Sequence, residues 1–242
     1  MKKLAIIDSY ALAHRSYHAL PPLTSPEGVL VNGVYGFFLI FLKMLKDLNP
    51  DYVLAAFDMA APTFRHKEYK EYKAKRVKMP DNFYEQILLV KGLLKEFGVP
   101  ILEEEGYEAD DLIGSVVEKL KDEDVEIFII TGDLDTLQLV NDKVFVYTLR
   151  QGLRDTIIYD KEKIRERFQL EPSQLVDWKA LRGDPSDNVP GVPAIGEKTA
   201  QELIKNFHSL DNLYEQLKNF SSVQEFIAKI QKLKYLRGFL KI

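Results

Sequence analysis

Apolar residues fall into two rhythms over the first 150 positions. Leu4-Ala5-Ile6-Ile7 is an unbroken run ended by Asp8, and residues 52–57 form a second run ended by Asp58. A third, Val125-Glu126-Ile127-Phe128-Ile129-Ile130, leads into Thr131-Gly132-Asp133-Leu134-Asp135. Continuous runs of this length mark strands buried on both faces. Residues 99–102 and 144–147 carry weaker versions of the pattern. Between the runs lie stretches of helical periodicity at 34–48, 82–97 and 109–120. The alternation predicts an α/β fold, a central mostly parallel sheet flanked by helices. In such sheets ligands bind beyond the carboxyl ends of the strands, which is where Asp8, Asp58 and Asp133 fall. After about residue 170 the pattern changes to short helices at 172–181 and 197–207 joined by tight turns, and no strand signal returns. The expected division is a core at 1–170 with an inserted segment at about 60–82, then a helical module at 171–242 ending in an amphipathic, basic tail at 222–242.

Composition narrows the chemistry. The 242 residues suffice for one large core with a small appended module. No apolar run is long enough to cross a bilayer, and the stretch before Asp8 is too short for a signal peptide, so the cytoplasm is the expected location and a membrane role is not expected. With no cysteine there is no disulfide framework, zinc ribbon or thiol nucleophile, and the four histidines lack paired zinc spacing. Any bound metal is therefore expected to be held by oxygen. His14 and His18, at i, i+4, read as helix packing or surface. A net charge of −4 argues mildly against nucleic acid, yet Arg65, Lys67, Lys70, Lys73, Lys75, Arg76 and Lys78 against Glu68 and Glu71 give residues 65–78 a local balance of +5, leaving −9 for the rest.

The candidate chemistry lies in the carboxylates Asp8, Asp58, Glu108, Asp110, Asp111, Asp133, Asp135, Asp184 and Asp187. Glu108-Ala109-Asp110-Asp111 opens a helix, where acids also serve as caps. Three strand ends and one helix start nevertheless deliver acids to the same sheet edge, and such a cluster repels itself unless cations neutralise it. Oxygen-only clusters suit Mg²⁺ or Mn²⁺, and two such ions about 4 Å apart serve phosphodiester hydrolysis. In the basic segment, Arg65, Tyr69, Tyr72, Lys73 and Arg76 share one face if the segment is helical, a pattern suited to gripping phosphates and stacking a base. Gly191-Val192-Pro193-Ala194-Ile195-Gly196, leading into Glu197-Lys198-Thr199, offers backbone N–H groups, a helix start and Lys198 to an anion.

Together these residues resemble the 5′ nuclease (5′-3′ exonuclease) domain of bacterial DNA polymerase I, within the flap endonuclease family. The matching motifs are IIDSYALAHRSYHAL, AAFDMAAPTFRHKEYKEYKAKR, GYEADDLIG, ITGDLDTLQL and LRGDPSDNVPGVPAIGEKTA, in the family's order over residues 4–205. The resemblance implies a PIN-like 5′ nuclease fold with a helical arch and a C-terminal helix-hairpin-helix (helix-3-turn-helix) module that holds duplex DNA and a K⁺ ion through hairpin carbonyls. It further implies that Asp8, Asp58, Glu108 and Asp110 hold one Mg²⁺ and that Asp111, Asp133, Asp135 and Asp187 serve a second, with Asp184 outside them. Lys73 and Arg76 would steer the scissile phosphate and Tyr72 would stack beside it. Arg15 and Arg65 match further phosphate contacts, and Gly191, Val192, Ile195, Gly196, Lys198 and Thr199 match the DNA-holding hairpin. The implied partners are branched, flapped or nicked DNA with a 5′ end and RNA–DNA primer junctions. The implied setting is replication and repair, as a monomer or part of a larger polymerase chain. Ser9 and Leu134 depart from residues frequent in the family. Ala194 stands where glycine is frequent, and only glycine takes positive φ freely. Two other readings stay open from the residues alone: a metal-dependent ribonuclease of related fold, and a non-catalytic DNA-binding module.

Overall fold

The computed structural model describes residues 1–218 except residue 154; the tail expected at 222–242 lies outside the described residues. Contacts divide the chain into two units, the first comprising residues 1–70 and 77–160 and the second residues 71–76 and 161 onward.

The first unit is built on a six-stranded sheet in the order β3-β2-β1-β4-β5-β6. Its strands are β1 (Lys2–Asp8), β2 (Tyr52–Ala56), β3 (Ile101–Leu102), β4 (Val125–Thr131), β5 (Val144–Gln151) and β6 (Asp155–Tyr159). All neighbours are parallel except β5 and β6. The uninterrupted apolar runs are the strands buried on both faces, because side chains alternate sides along a strand. Ala5 and Ile7 of β1, Phe128 and Ile130 of β4 and Tyr147 and Leu149 of β5 enter a core with α1 (Ser9–Ala19), α2 (Asn32–Leu48) and α4 (Asp81–Glu96), which supply Leu12, Phe37, Ile40, Phe41, Met44, Phe83, Val90 and Leu94. The intervening Ile6, Ile127 and Ile129 are buried as well, and α5 (Ala109–Lys119) packs against β1 and β2.

α1 begins at the end of β1, with Asp8 as N-cap accepting a hydrogen bond from the Ala11 N–H. His14 and His18 lie edge to face 4.6 Å apart on this helix, and His14 also meets Phe83, so they pack as expected. The edge strand β6, antiparallel to β5, has no counterpart in the sequence reading, because its residues are mostly half-buried and form no continuous buried run.

The basic segment is not the single helix that its spacing suggests. α3 (Phe64–Glu68) stops after five residues, Tyr69 is extended, and Lys73 takes a left-handed φ of 55°. No residue of α3 is buried, and a short helix with no packed face is marginal in water.

The second unit contains α6 (Lys161–Phe168), α7 (Leu175–Arg182), β7 (Gly183–Asp184), β8 (Val189–Pro190), α8 (Glu197–Phe207) and α9 (Leu210–Lys218). A strand signal does return, as the two-residue antiparallel pair β7 and β8. Gly183 makes it possible: its φ is 80°, and a side chain there would begin 2.3 Å from the Gly191 nitrogen. Gly191 is matched to it, since its own side chain would begin 2.3 Å from the Arg182 carbonyl carbon. The Trp178 indole N–H donates to the Glu197 carbonyl and ties α7 to α8.

Candidate functional site

Parallel register fixes where the acids of the first unit go. Asp8 ends β1 and pairs with Ala56 at the end of β2, two residues before Asp58. Ile7 pairs with Ile130, one residue before Thr131 ends β4 and the chain turns through Gly132 to Asp133. The carboxyl ends of three adjacent strands thus bring Asp8, Asp58 and Asp133 to one edge.

Asp8 is 4% exposed. Its carboxylate accepts from the Thr131 hydroxyl at 2.6 Å and from the Ala11 N–H at 3.2 Å. Burial nevertheless pushes its pKa up to about 7, and the charges of Asp58 and Asp133 add to the rise. Thr131 was not singled out in the sequence. It also accepts the Asp133 N–H at 2.9 Å, so one buried hydroxyl joins two of the acids; the signal for it was a Thr immediately before the Gly-Asp turn.

Glu108 caps α5, and Asp110 and Asp111 open its first turn. The Ala109 N–H donates to Asp58 at 2.9 Å, the anion position favoured at a helix start. Asp110 is held well above the ordinary carboxylate range by burial and by the charges of Asp8, Asp133, Asp58 and Asp135. Asp133 accepts the Asp135 N–H at 2.9 Å. Asp111 accepts two hydrogen bonds from the Arg65 guanidinium, each at 2.7 Å, and Arg65 lies 3.8 Å from Glu108. The aliphatic part of Arg15 passes 3.6 Å from where a side chain on Gly132 would begin, on the turn after β4.

These residues satisfy the donor chemistry of a hard divalent cation, oxygen ligands with excess negative charge. Asp8 and Asp110 are raised first by burial and then by the charges of their neighbours, and a cation would offset both. Among the described residues no group of three or more Asp, Glu or His side chains is arranged to hold a metal ion.

Asp184 and Asp187 belong to the second unit and are paired with cations there. Burial would raise Asp184, but hydrogen bonds from Lys179, at 2.8 Å, and Ser186 hold it at about 2. Asp187 accepts from Arg76 at 2.6 Å and from the Tyr72 hydroxyl at 3.1 Å, and its carbonyl accepts the Lys73 N–H. Tyr72, expected to stack on a base, is buried, with the Lys73 ammonium 4.9 Å over its ring.

The hairpin holds its turn through the Ile195 N–H to Val192 carbonyl bond at 3.0 Å and the Val192 N–H to Leu181 carbonyl bond at 2.9 Å. Val192, Gly196 and Lys198 are exposed, whereas Gly191, Ile195 and Thr199 are half-buried. Ala194 adopts the left-handed φ of 66° that its position demands. Gly196 needs no glycine for steric reasons, having open space around it.

Two family models cover the chain: the 5′-3′ exonuclease N-terminal resolvase-like domain matches residues 3–169, and the 5′-3′ exonuclease C-terminal SAM fold matches residues 170–241. DNA polymerase I of Bacillus subtilis is 41% identical over 233 residues, 96% of this chain and 26% of that protein. This chain therefore spans about a quarter of the length of the DNA polymerase I relatives. A 5′-3′ exonuclease of Aquifex aeolicus is 38% identical over 232 residues, covering 96% of this chain and 78% of that protein. Among solved structures, the T5 D15 protein co-crystallised with metal ions aligns with a TM-score of 0.75 at 21% identity, over 97% of this chain and 86% of that one. The catalytic core of Rad2 in complex with DNA aligns with a TM-score of 0.60 at 20% identity, over 99% and 70%. These two share the fold. With both of its parts matched in order and its acids gathered where a parallel sheet presents them, the chain belongs to the 5′-3′ exonuclease family of nucleases.

Proposed function

We propose that this chain hydrolyses DNA phosphodiester bonds at and near 5′ ends, as a 5′-3′ exonuclease and flap endonuclease acting in primer removal and repair. One observation carries the reading: adjacent parallel strands bring Asp8, Asp58 and Asp133 to one sheet edge, where the Ala109 N–H at the start of α5 donates to Asp58 and where burial, then mutual charge, raises Asp8 and Asp110. A stable fold gains nothing from such repulsion, whereas a cation site does. Asp8, Asp58, Glu108, Asp110, Asp133 and Asp135 would hold Mg²⁺, with Mn²⁺ as a substitute. A divalent cation there supplies Lewis acidity, lowering the pKa of water and neutralising phosphate charge.

The chain's own residues do the rest. Thr131 and the Ala11 N–H fix the Asp8 carboxylate, and the start of α5 fixes Asp58. Lys73 and Arg76 stabilise charge on the phosphate, and Arg15 contacts the backbone further along. The hairpin of Gly191, Val192, Ile195 and Gly196, with Lys198 and Thr199, grips the duplex through backbone N–H groups, and its carbonyls are the proposed seat of K⁺. Flapped or nicked DNA with a 5′ end is the proposed substrate, and RNA–DNA primer junctions are included.

The test compares labelled 5′-flap DNA, nicked DNA and single-stranded RNA in Mg²⁺ and in EDTA. Cleavage of the flap that needs Mg²⁺ and falls at least about 100-fold in Asp58→Ala and Asp133→Ala is expected. Near-normal cleavage by either variant, or preference for RNA, would overturn the reading.

A further inference from the structure

The last turn of α7 carries two basic residues, Lys179 and Arg182, with opposite fates. The Lys179 ammonium pairs with Asp184 at 2.8 Å. The Arg182 guanidinium reaches back along the helix and lies over the Trp178 ring, 4.3 Å from its centroid, because residues four apart share a helix face. Its Nε is buried and meets no hydrogen-bond acceptor; among the described residues no other buried side-chain nitrogen or oxygen is left in this way. The acids of the second unit are engaged elsewhere: Asp184 by Lys179 and Ser186, Asp187 by Arg76 and Tyr72, Glu171 by Arg165, and Asp177 by the Leu210 N–H. A buried donor without an acceptor is unfavourable, and folded chains keep one where a water, an ion or a ligand completes it.

Trp178 gives the guanidinium a fixed seat. The indole N–H is held by the Glu197 carbonyl at 3.1 Å, and the ring meets Phe168 edge-on at 5.6 Å. A cation stacked on a fixed ring keeps its plane, so its N–H edge is preset for paired oxygens, while Arg182 as a whole stays half-buried rather than enclosed. The pair is also tied to both ends of the hairpin. The Arg182 carbonyl carbon lies 2.3 Å from where a side chain on Gly191 would begin, and Trp178 bonds to Glu197, the residue after Gly196. We propose that Arg182, seated on Trp178, binds a phosphate of the duplex DNA backbone beside the hairpin. This rests on the proposed nuclease reading and deepens it: the hairpin N–H groups are uncharged and Lys198 is a point charge, whereas a planar guanidinium engages two phosphate oxygens at once.

The experiment uses the full chain in EDTA, isotope-labelled at arginine nitrogens and followed by NMR. The Arg182 Nε–H signal is identified by its absence in Arg182→Met, which keeps contact with the ring but removes the donor. Adding a nicked 5′-flap duplex should shift this signal and slow its exchange with water, whereas inorganic phosphate at the same phosphate concentration should leave it in place. By fluorescence anisotropy across a salt series, Arg182→Met should bind the duplex about tenfold more weakly, with a slope of log affinity against log salt lower by about 0.9. Arg182→Lys, which keeps the charge without the fork, should restore the slope but only part of the affinity. Because the guanidinium makes no hydrogen bond to the described residues, Arg182→Met should melt within about 3 °C of wild type. A signal indifferent to the duplex, or affinity and slope unchanged in Arg182→Met, would overturn the assignment, and an equal response to inorganic phosphate would remove DNA as its ligand. A much lower melting temperature with an unmoved signal would make Arg182 a structural residue instead. A wild-type chain that does not bind the duplex at all would sink the nuclease reading itself, and this assignment with it.

Discussion

Asp8 shows what the site costs the fold. A carboxyl with an ordinary pKa of 3.8 when unfolded and about 7 when folded binds more protons in the native state between those values. Stability from this group is therefore present at low pH and lost as pH rises from about 4 to about 7. Asp8→Asn should raise the melting temperature of the metal-free protein by about 5 °C at pH 8 and by much less at pH 4. Saturating Mg²⁺ should narrow the gap at pH 8, because it stabilises the wild-type carboxylate. Melting followed by circular dichroism at both pH values checks the sign, and a larger gain at pH 4 would contradict it. Ala194 carries a smaller burden of a different kind. An L-residue in the left-handed region is destabilised by about 1–2 kcal/mol, so Ala194→Gly should stabilise the second unit, by up to about 1 kcal/mol once the greater freedom of unfolded glycine is subtracted. Urea denaturation of the two proteins measures the difference.

Among the elements, segment 71–76 is held by bonds to residues distant in sequence, both through side chains and through the Lys73 N–H to the Asp187 carbonyl. Arg76 and the Tyr72 hydroxyl hold Asp187, and Asn188 donates from its side chain to the Glu71 carbonyl at 2.7 Å. Asp187→Ala should loosen the segment, and trypsin should then cut after Lys73, Lys75 or Arg76 at least about fivefold faster than in wild type. An unchanged digestion rate would show that the segment is held by something else. This pinning explains why spacing misled. The run from Arg65 to Arg76 fits a helical face on paper, but Tyr72 alone of its residues is buried, and turns closed by long-range hydrogen bonds replace the helix. Strands β1, β2 and β4 were legible because a parallel strand buried on both faces is a continuous apolar run, and the acids that end them were legible with them. The Arg65–Asp111 fork spans 46 residues and leaves no local mark. The same holds for the match of Gly183 to Gly191, which only the paired backbones reveal.

For the whole molecule, charge is distributed rather than summed. The chain carries −4 in all, but residues 65–78 carry +5, so DNA binding should depend steeply on salt despite the acidic average. Each phosphate contact removed lowers the slope of log affinity against log salt by about 0.9. Replacing Lys70 and Lys75 with glutamine should reduce that slope by up to about 2 without changing Mn²⁺ uptake, as read by fluorescence anisotropy across a salt series. An unchanged slope would place the phosphate contacts elsewhere.

The hydrogen bond from Thr131 to Asp8 joins residues 123 positions apart, and this separation bears on when activity appears. Residues 108–111 carry three of the acids at one helix start, but Asp8, Asp58 and Asp133 join them only through pairing of distant strands. A nascent chain halted before β4 lacks Thr131, Asp133 and Asp135 together, and the Asp8 carboxylate has lost its nearest donor. Competence to cut then arrives late and all at once, with closure of the most distant strand pairing. A nuclease assembled in this way stays harmless until the fold that governs its choice of substrate is already in place.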